Sequence, residues 1–574
     1  MVMNWLIKIG KKITLFTIVV TFVLFVNPWQ SHADKYFRGD CANSGNGASW
    51  VCAESPGGTG ALKQTTDLGI MTLVPQSYTW LRGTTYWFVG SDASYGTMGF
   101  RNSSGTATDY ITIKRATDSL CTGQTGWETV TSDEKAKQAI FGRATIRECS
   151  YIEIDGVTGD GISTAGYGFK FEAFVKVEGA IGLSSGYTHN YIKVSHCEIT
   201  SRGDGETWSC YGTPLATGTY AGETATNPIT FSGQSWETNA LVGYDLINIT
   251  TNAVARVNSN TDDTVTLDGA MSGGSRSTIV NGDEWNIAYY QCAVGFMGSG
   301  TGHEIRYNYM HHLGVCASIS WTTGAVFANN YCRYNHFNGE HHNPMFVHLG
   351  STNATIENNI FEDGTGTTCI GTPGSGTATN TIIRNNVFRE SDDNPENQAS
   401  GGFAGEGIIG SWSGQSVVGI KIYNNTFYNF HRSSAMVDYD EVDAASGVEI
   451  KNNLWYCDKG ASCKSAIYRT KVGVELTTQN NAFYGNSKNA NETDPVTLAA
   501  TNPFTNSAGG DFSLKSCSGG DCAIDTGVDL SASWPSALDY IGTSRPQGAG
   551  WDIGAYEYVP LTSTSHASGS FNLR

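Results

Sequence analysis

Ile356-Glu357-Asn358-Asn359-Ile360-Phe361 and Ile383-Arg384-Asn385-Asn386-Val387-Phe388 are two copies of one phrase. It returns as Ile422-Tyr423-Asn424-Asn425-Thr426-Phe427 and as Ile450-Lys451-Asn452-Asn453-Leu454-Trp455. Looser copies are Ile305-Arg306-Tyr307-Asn308-Tyr309-Met310, Phe327-Ala328-Asn329-Asn330-Tyr331-Cys332 and Thr478-Gln479-Asn480-Asn481-Ala482-Phe483. From Asn308 through Asn330, Asn359, Asn386, Asn425 and Asn453 to Asn481 the steps are 22, 29, 27, 39, 28 and 28 residues. A period in the twenties with β-branched residues marks a solenoid of strands.

The phrase describes a strand that bends at Asn and resumes as a strand. Asn tolerates the left-handed backbone conformation that such a bend requires. Stacked Asn side chains can also bond to their neighbours above and below as a ladder. Antiparallel hairpins would not need so regular a spacing. The expectation is an all-β, right-handed parallel β-helix, with Gly156 and His196 near the bends of earlier rungs.

Working outward, residues 1–33 read as a secretory signal peptide. Lysines precede an apolar run from Ile13 to Val26, too short for a confident membrane span, and Ser31-His32-Ala33 offers a cleavage site. Residues 34–115 read as an N-terminal cap and first strands, with Ala61 to Leu68 as a short capping helix. First rungs follow over 116–209 and a small antiparallel β module over 210–292. Asn-ladder rungs span 293–500, a C-terminal cap 501–558, and a flexible tail 559–574.

With 69 Gly and only 15% charged residues, composition suits turns and strands. A net charge of −18 argues against nucleic acid, an anionic membrane surface and, more weakly, a polyanionic substrate lacking a bridging cation. Fourteen Cys in an exported chain read as disulfides, with Cys41/Cys52, Cys457/Cys463 and Cys517/Cys522 near enough to close small loops. Cys316 and Cys332 lie about a partial rung apart, and Cys210 and Cys292 flank the inserted module. The protein is expected outside the cell, at its surface or in the periplasm.

Tyr110-Ile111-Thr112-Ile113-Lys114, Tyr151-Ile152-Glu153-Ile154-Asp155-Gly156, the Asn-Asn-x-Phe rungs and the closing Asp552-Ile553-Gly554-Ala555-Tyr556-Glu557 together resemble secreted bacterial right-handed parallel β-helix proteins of the pectate-lyase-like superfamily. The resemblance implies the fold. It implies no single activity, because the group holds lyases, hydrolases, epimerases and proteins of no known activity. No match to the lysine-arginine and calcium-acid sets of the β-helical polysaccharide lyases is found.

If each rung adds a third strand, these fall near 316–321, 345–350, 368–373, 407–413, 435–441 and 465–470. Their outward residues and adjoining loops would form a groove for an extended polymer. Catalytic candidates there are Glu340, His341, His342, His348, Glu406, Asp438 and Asp440. Substrate-binding candidates are Trp321, Trp412, His311, His312, His431 and Arg432. Six of the 12 His crowd one stretch, His336 among them. They read as hydrogen-bonded loop residues, a metal cluster or a general acid/base site. Asp438 and Asp440 share a strand face in this reading, as a glycosidic pair or, with Glu441 and Asp443, a Ca2+ site. The expected function is binding and cleavage of an extracellular polysaccharide, by hydrolase or lyase chemistry. The competing expectation is a non-catalytic adhesin or structural solenoid.

Overall fold

The structure is a computed structural model. It describes residues 34–560 except 39–47, 53–79, 92–94, 104, 174–178, 185–186, 202–214, 243, 252, 268–269, 272–275, 289–293, 334–345, 364–368, 373–375, 391–407, 412–413, 430–435, 459–467, 471–475, 485–491, 499–501 and 518. The signal-peptide stretch, the capping helix at Ala61 to Leu68 and the tail after residue 560 lie outside the described residues.

Three parallel sheets of 12, 11 and 10 strands wind around one core as a right-handed parallel β-helix. One rung shows how the phrase makes them. Thr355–Glu357 lies in the first sheet, Ile360–Glu362 in the second and Ile370–Thr372 in the third. The chain then returns to the first sheet at Ile382–Arg384. Register is exact from rung to rung: Ile356 pairs with Phe327 and Ile383, and Phe361 with Cys332 and Phe388. Alternation along each strand turns these residues inward. The Phe361, Phe388, Phe427 and Trp455 rings consequently stack at 5.2, 4.7 and 5.8 Å along the axis.

The two Asn of each phrase do different work. The bend falls on the first: Asn329, Asn358, Asn385, Asn424, Asn452 and Asn480 have φ between 50° and 55° or, at Asn452, 57°. Tyr307 and His196 occupy the same corner in earlier rungs, each with φ 57°. The ladder is made by the second. Asn308, Asn330, Asn359, Asn386, Asn425 and Asn453 each donate Nδ2–H to the Oδ1 of the next Asn, ending at Asn481, at 2.9–3.2 Å. The final acceptor is a carboxylate, Glu492 Oε1, 2.9 Å from Asn481 Nδ2. A buried amide needs all its partners, and each ladder Asn also donates to a main-chain carbonyl.

Between the second-sheet strand Cys197–Ser201 and the third-sheet strand Val294–Met297 sits a six-stranded antiparallel sheet, with its first strand at Ala216–Thr219 and its last at Glu284–Ala288. It has a core of its own that includes Tyr220, Phe231, Leu246 and Trp285. The C-terminal stretch lies along the outside of the second sheet. Phe504, Phe512, Ile553 and Tyr556 pack on Val387, Leu454 and Tyr456. The first Asn of the last four phrases tethers it: Asn385, Asn424, Asn452 and Asn480 donate to the carbonyls of Leu538, Asp552, Val528 and Thr526. Arg545, wholly buried, holds the closing phrase through Glu557 Oε2 at 2.9 Å and Gly554 O at 2.9 Å.

The cysteines are only partly oxidised. Cys316–Cys332 and Cys517–Cys522 are disulfides, and Cys52 and Cys457 are disulfide-bonded. Cys41, Cys463, Cys210 and Cys292 lie outside the described residues. Against the expectation of nearly complete pairing, Cys121, Cys149, Cys197 and Cys369 are buried thiols. Each occupies an interior position, where Cys serves as a small apolar side chain.

Candidate functional site

The second and third sheets meet along a rim from which the variable loops leave. At this rim the second sheet carries Lys170 and Glu172 in one strand, Glu198 in the next and His311 in the one after. His311 Nε2 lies 3.3 Å from Glu198 Oε1, and Gln138 Nε2 donates to Glu198 Oε2 at 2.9 Å. Lys170 Nζ sits 3.4 Å from Glu198 and 2.8 Å from Glu172. The His311 ring stacks on Tyr309 at 4.2 Å, and its Nδ1 is 2.7 Å from His312 Nδ1. The result is a continuous chain from Glu198 through His311 to His312.

Electrostatics assign the charges in that chain. Burial pushes the Glu198 carboxyl up, but the His311 hydrogen bond, the Lys170 charge and the Gln138 bond outweigh it and hold it at about 2. Glu198 is therefore an anion at neutral pH. Burial, with His311 and Arg333 beside it, lowers His312 to about 3, so His312 is neutral. Across the 2.7 Å gap one imidazole donates and the other accepts.

The third sheet forms the floor beyond this rim. Phe346, Ile370, Ile409 and Val437 point into the core, so the intervening Val347, Gly371, Gly410 and Asp438 face outward in one column. Gly371 and Gly410 leave that column without side chains for two rungs. Asp438 is buried, and its Oδ1 accepts the Asp440 N–H at 3.2 Å. The strand ends at Tyr439 and Asp440 lies in the bend beyond it, so the two carboxylates do not alternate along one strand face as the sequence reading had them. Among the described residues no three His, Cys, Asp or Glu side chains gather to hold a metal, Asp438, Asp440, Glu441 and Asp443 included.

His348 departs from expectation most clearly. The sequence reading set it on the outward face, but it continues the inward series after Phe346. It is 2% exposed, its Nδ1 has no hydrogen-bond partner, and burial lowers it to about 4. A one-residue error in phase exchanges the two faces of a strand. His348 is thus a neutral core side chain and no base for a groove. Trp321 lies at the far edge of the third sheet and is 58% exposed. Glu340, His341, His342, Glu406, Trp412, His431, Arg432 and His336 lie outside the described residues.

Glu198, which the sequence reading missed, precedes His311 by 113 residues with the inserted module between them. Aligning Tyr191-Ile192-Lys193-Val194-Ser195-His196-Cys197-Glu198 onto the later phrase would have placed it beside Tyr309.

No family model matches the chain, and no curated protein matches it. Among solved structures, pectate lyase Pel9A is similar at 11% identity and TM-score 0.34, covering 91% of this chain and 96% of its own. The PL6 family alginate lyase AlyGC is similar at 12% identity and TM-score 0.31, covering 74% and 52%. This chain thus spans about half that enzyme's length. A DFA-IIIase from Arthrobacter chlorophenolicus A6 is similar at 10% identity and TM-score 0.26, covering 65% and 86%. At these values no residue of their sites is carried onto this chain.

Proposed function

We propose that the chain is an exported carbohydrate-active protein. It binds an extended polysaccharide over the third sheet and cleaves it by general acid–base chemistry at the loop-bearing rim. The observation that supports this reading is the Glu198–His311–His312 chain. An ionised carboxylate orients one imidazole, and a neutral imidazole is bonded to the other side of that ring. A proton taken up at His312 passes to His311, and the reverse transfer returns it to a leaving group. Glu340, His341 and His342 belong to this proposal by sequence, since 334–345 joins Tyr331–Arg333 to Phe346–Val347. Asp438, on the floor two rungs past Gly371, is the carboxylate candidate for the same groove.

The test is turnover on a polysaccharide panel, reading new reducing ends and the absorbance of unsaturated products. His311→Ala and Glu198→Gln should each lower kcat about 10²–10⁴-fold, the usual contribution of a general acid or base. Wild-type kcat in both variants would overturn the assignment. Binding without any cleavage would favour the adhesin reading instead.

A further inference from the structure

Trp321 is the only tryptophan among the exposed large apolar side chains of the described residues. It sits where the chain leaves the third sheet, with φ of 58°, a left-handed conformation that a bulky residue adopts only when its surroundings enforce it. Its N–H donates to Leu349 O at 2.7 Å, which pins it to the next rung.

The indole has a cradle. A Cβ on Gly350 would come within 2.4 Å of Trp321 Cε3, and one on Gly376 within 3.0 Å of Cη2. These glycines lie at the same edge of the two following rungs, so the ring spans their backbones along the solenoid axis. One ring face is covered by main chain. With 58% of the residue exposed, the opposite face is open to water. Core packing gains nothing from such a placement, since apolar surface left in water contributes no burial energy.

The chemistry around the ring is uncharged. Residues 318–326, 347–355, 376–382 and 409–420 contain no Asp, Glu, Lys or Arg. What they offer is hydroxyl and amide groups: Ser318 Oγ lies 2.9 Å from Ser320 Oγ, and the exposed Asn380 Nδ2 donates to Asn353 Oδ1 at 3.2 Å. A uronate would find no cation among the described residues of these stretches. A neutral pyranose finds an aromatic face for its C–H groups and hydrogen-bonding partners for its hydroxyls.

We infer that Trp321, seated on Gly350 and Gly376, is a stacking subsite for an uncharged pyranose unit, on the rim of the third sheet opposite His311 and His312. The inference rests on the polysaccharide reading and narrows its substrate to a polymer with neutral sugar units. From Val315 to Trp321 the strand and its continuation span roughly 20 Å at about 3.3 Å per residue. That width holds several sugar rings between the two rims.

Affinity electrophoresis of the full chain in gels containing a soluble neutral β-glucan, a neutral mannan or polygalacturonate tests it. Retardation by a neutral polymer is expected. Trp321→Ala should weaken that retardation at least tenfold, and Trp321→Gly should do the same although it relieves the positive φ. Trp321→Tyr, which keeps a ring, should lose less. Wild-type retardation of Trp321→Ala would overturn the subsite while leaving the groove reading in place. Retardation of the unsubstituted chain by none of the polymers would overturn both. Retardation by polygalacturonate alone would overturn the uncharged assignment.

Discussion

Replacing Asn386 by Leu should destabilise the solenoid far more than replacing its neighbour Asn385 by Gly. Asn386 is fully buried, and its side chain makes four hydrogen bonds. Oδ1 accepts from Asn359 N at 3.0 Å and from Asn359 Nδ2 at 2.9 Å. Nδ2 donates to Ile356 O at 2.9 Å and to Asn425 Oδ1 at 3.0 Å. At a net of about 1 kcal/mol per bond, and more where a buried partner is left unsatisfied, the loss is about 3–5 kcal/mol. Leu returns some of this through apolar burial, so the lower end is expected. Asn385→Gly keeps the left-handed turn and loses only the Leu538 tether and the longer Arg545 contact, about 1–2 kcal/mol. Urea denaturation followed by circular dichroism measures both. Asn386→Leu within about 0.5 kcal/mol of wild type, the range of bland surface changes, would refute the ladder as a source of stability. Equal losses at the two positions would refute the division of labour between them.

Other expectations concern the ladder's end, pH and the cysteines. Glu492→Gln keeps an acceptor for Asn481 N and Nδ2, whereas Glu492→Leu removes both bonds and should cost about 2 kcal/mol more in the same denaturation assay. His303 and His348 are held neutral by burial, each lowered to about 4 from an unfolded value near 6.5. Between those values the unfolded chain binds the extra protons, so stability falls as pH drops from about 6.5 to 4. His348→Leu should flatten that fall by about 1.4 kcal/mol per pH unit, read from urea midpoints across the range; an unchanged slope would contradict a neutral buried His348. Alkylation without reduction should spare Cys121, Cys149, Cys197 and Cys369 in the native protein and label them once it is unfolded, as peptide mass spectrometry would show.

The fold was legible because a solenoid repeats its local rule. Asn-Asn with an apolar residue two places before and an aromatic two places after occurs often enough to expose both the turn and the core-facing columns. What one copy leaves open is which Asn turns and which bonds. A left-handed φ and a buried amide chain are alternative uses of the same side chain, and backbone geometry alone separates them. Facing was the harder matter in the third sheet. Phe346-Val347-His348 carries two apolar residues, so alternation does not say whether Val347 or His348 points inward. The site was legible only in part. His311 and His312 were marked by their neighbours in sequence, but Glu198 reaches them through rung stacking across an insertion, and no local motif records that contact. The four buried thiols show the same limit, since export favours disulfides while an interior position favours a small apolar group.

The most direct test is a crystal structure of the Glu198→Gln variant with an oligosaccharide of whichever polymer the turnover and retardation assays select. The sugar should lie across the outward column of Val347, Gly371, Gly410 and Asp438, with one end beside His311 and His312 and a ring on Trp321. An oligosaccharide bound on the first sheet or on the antiparallel module, with that column empty, would contradict the account.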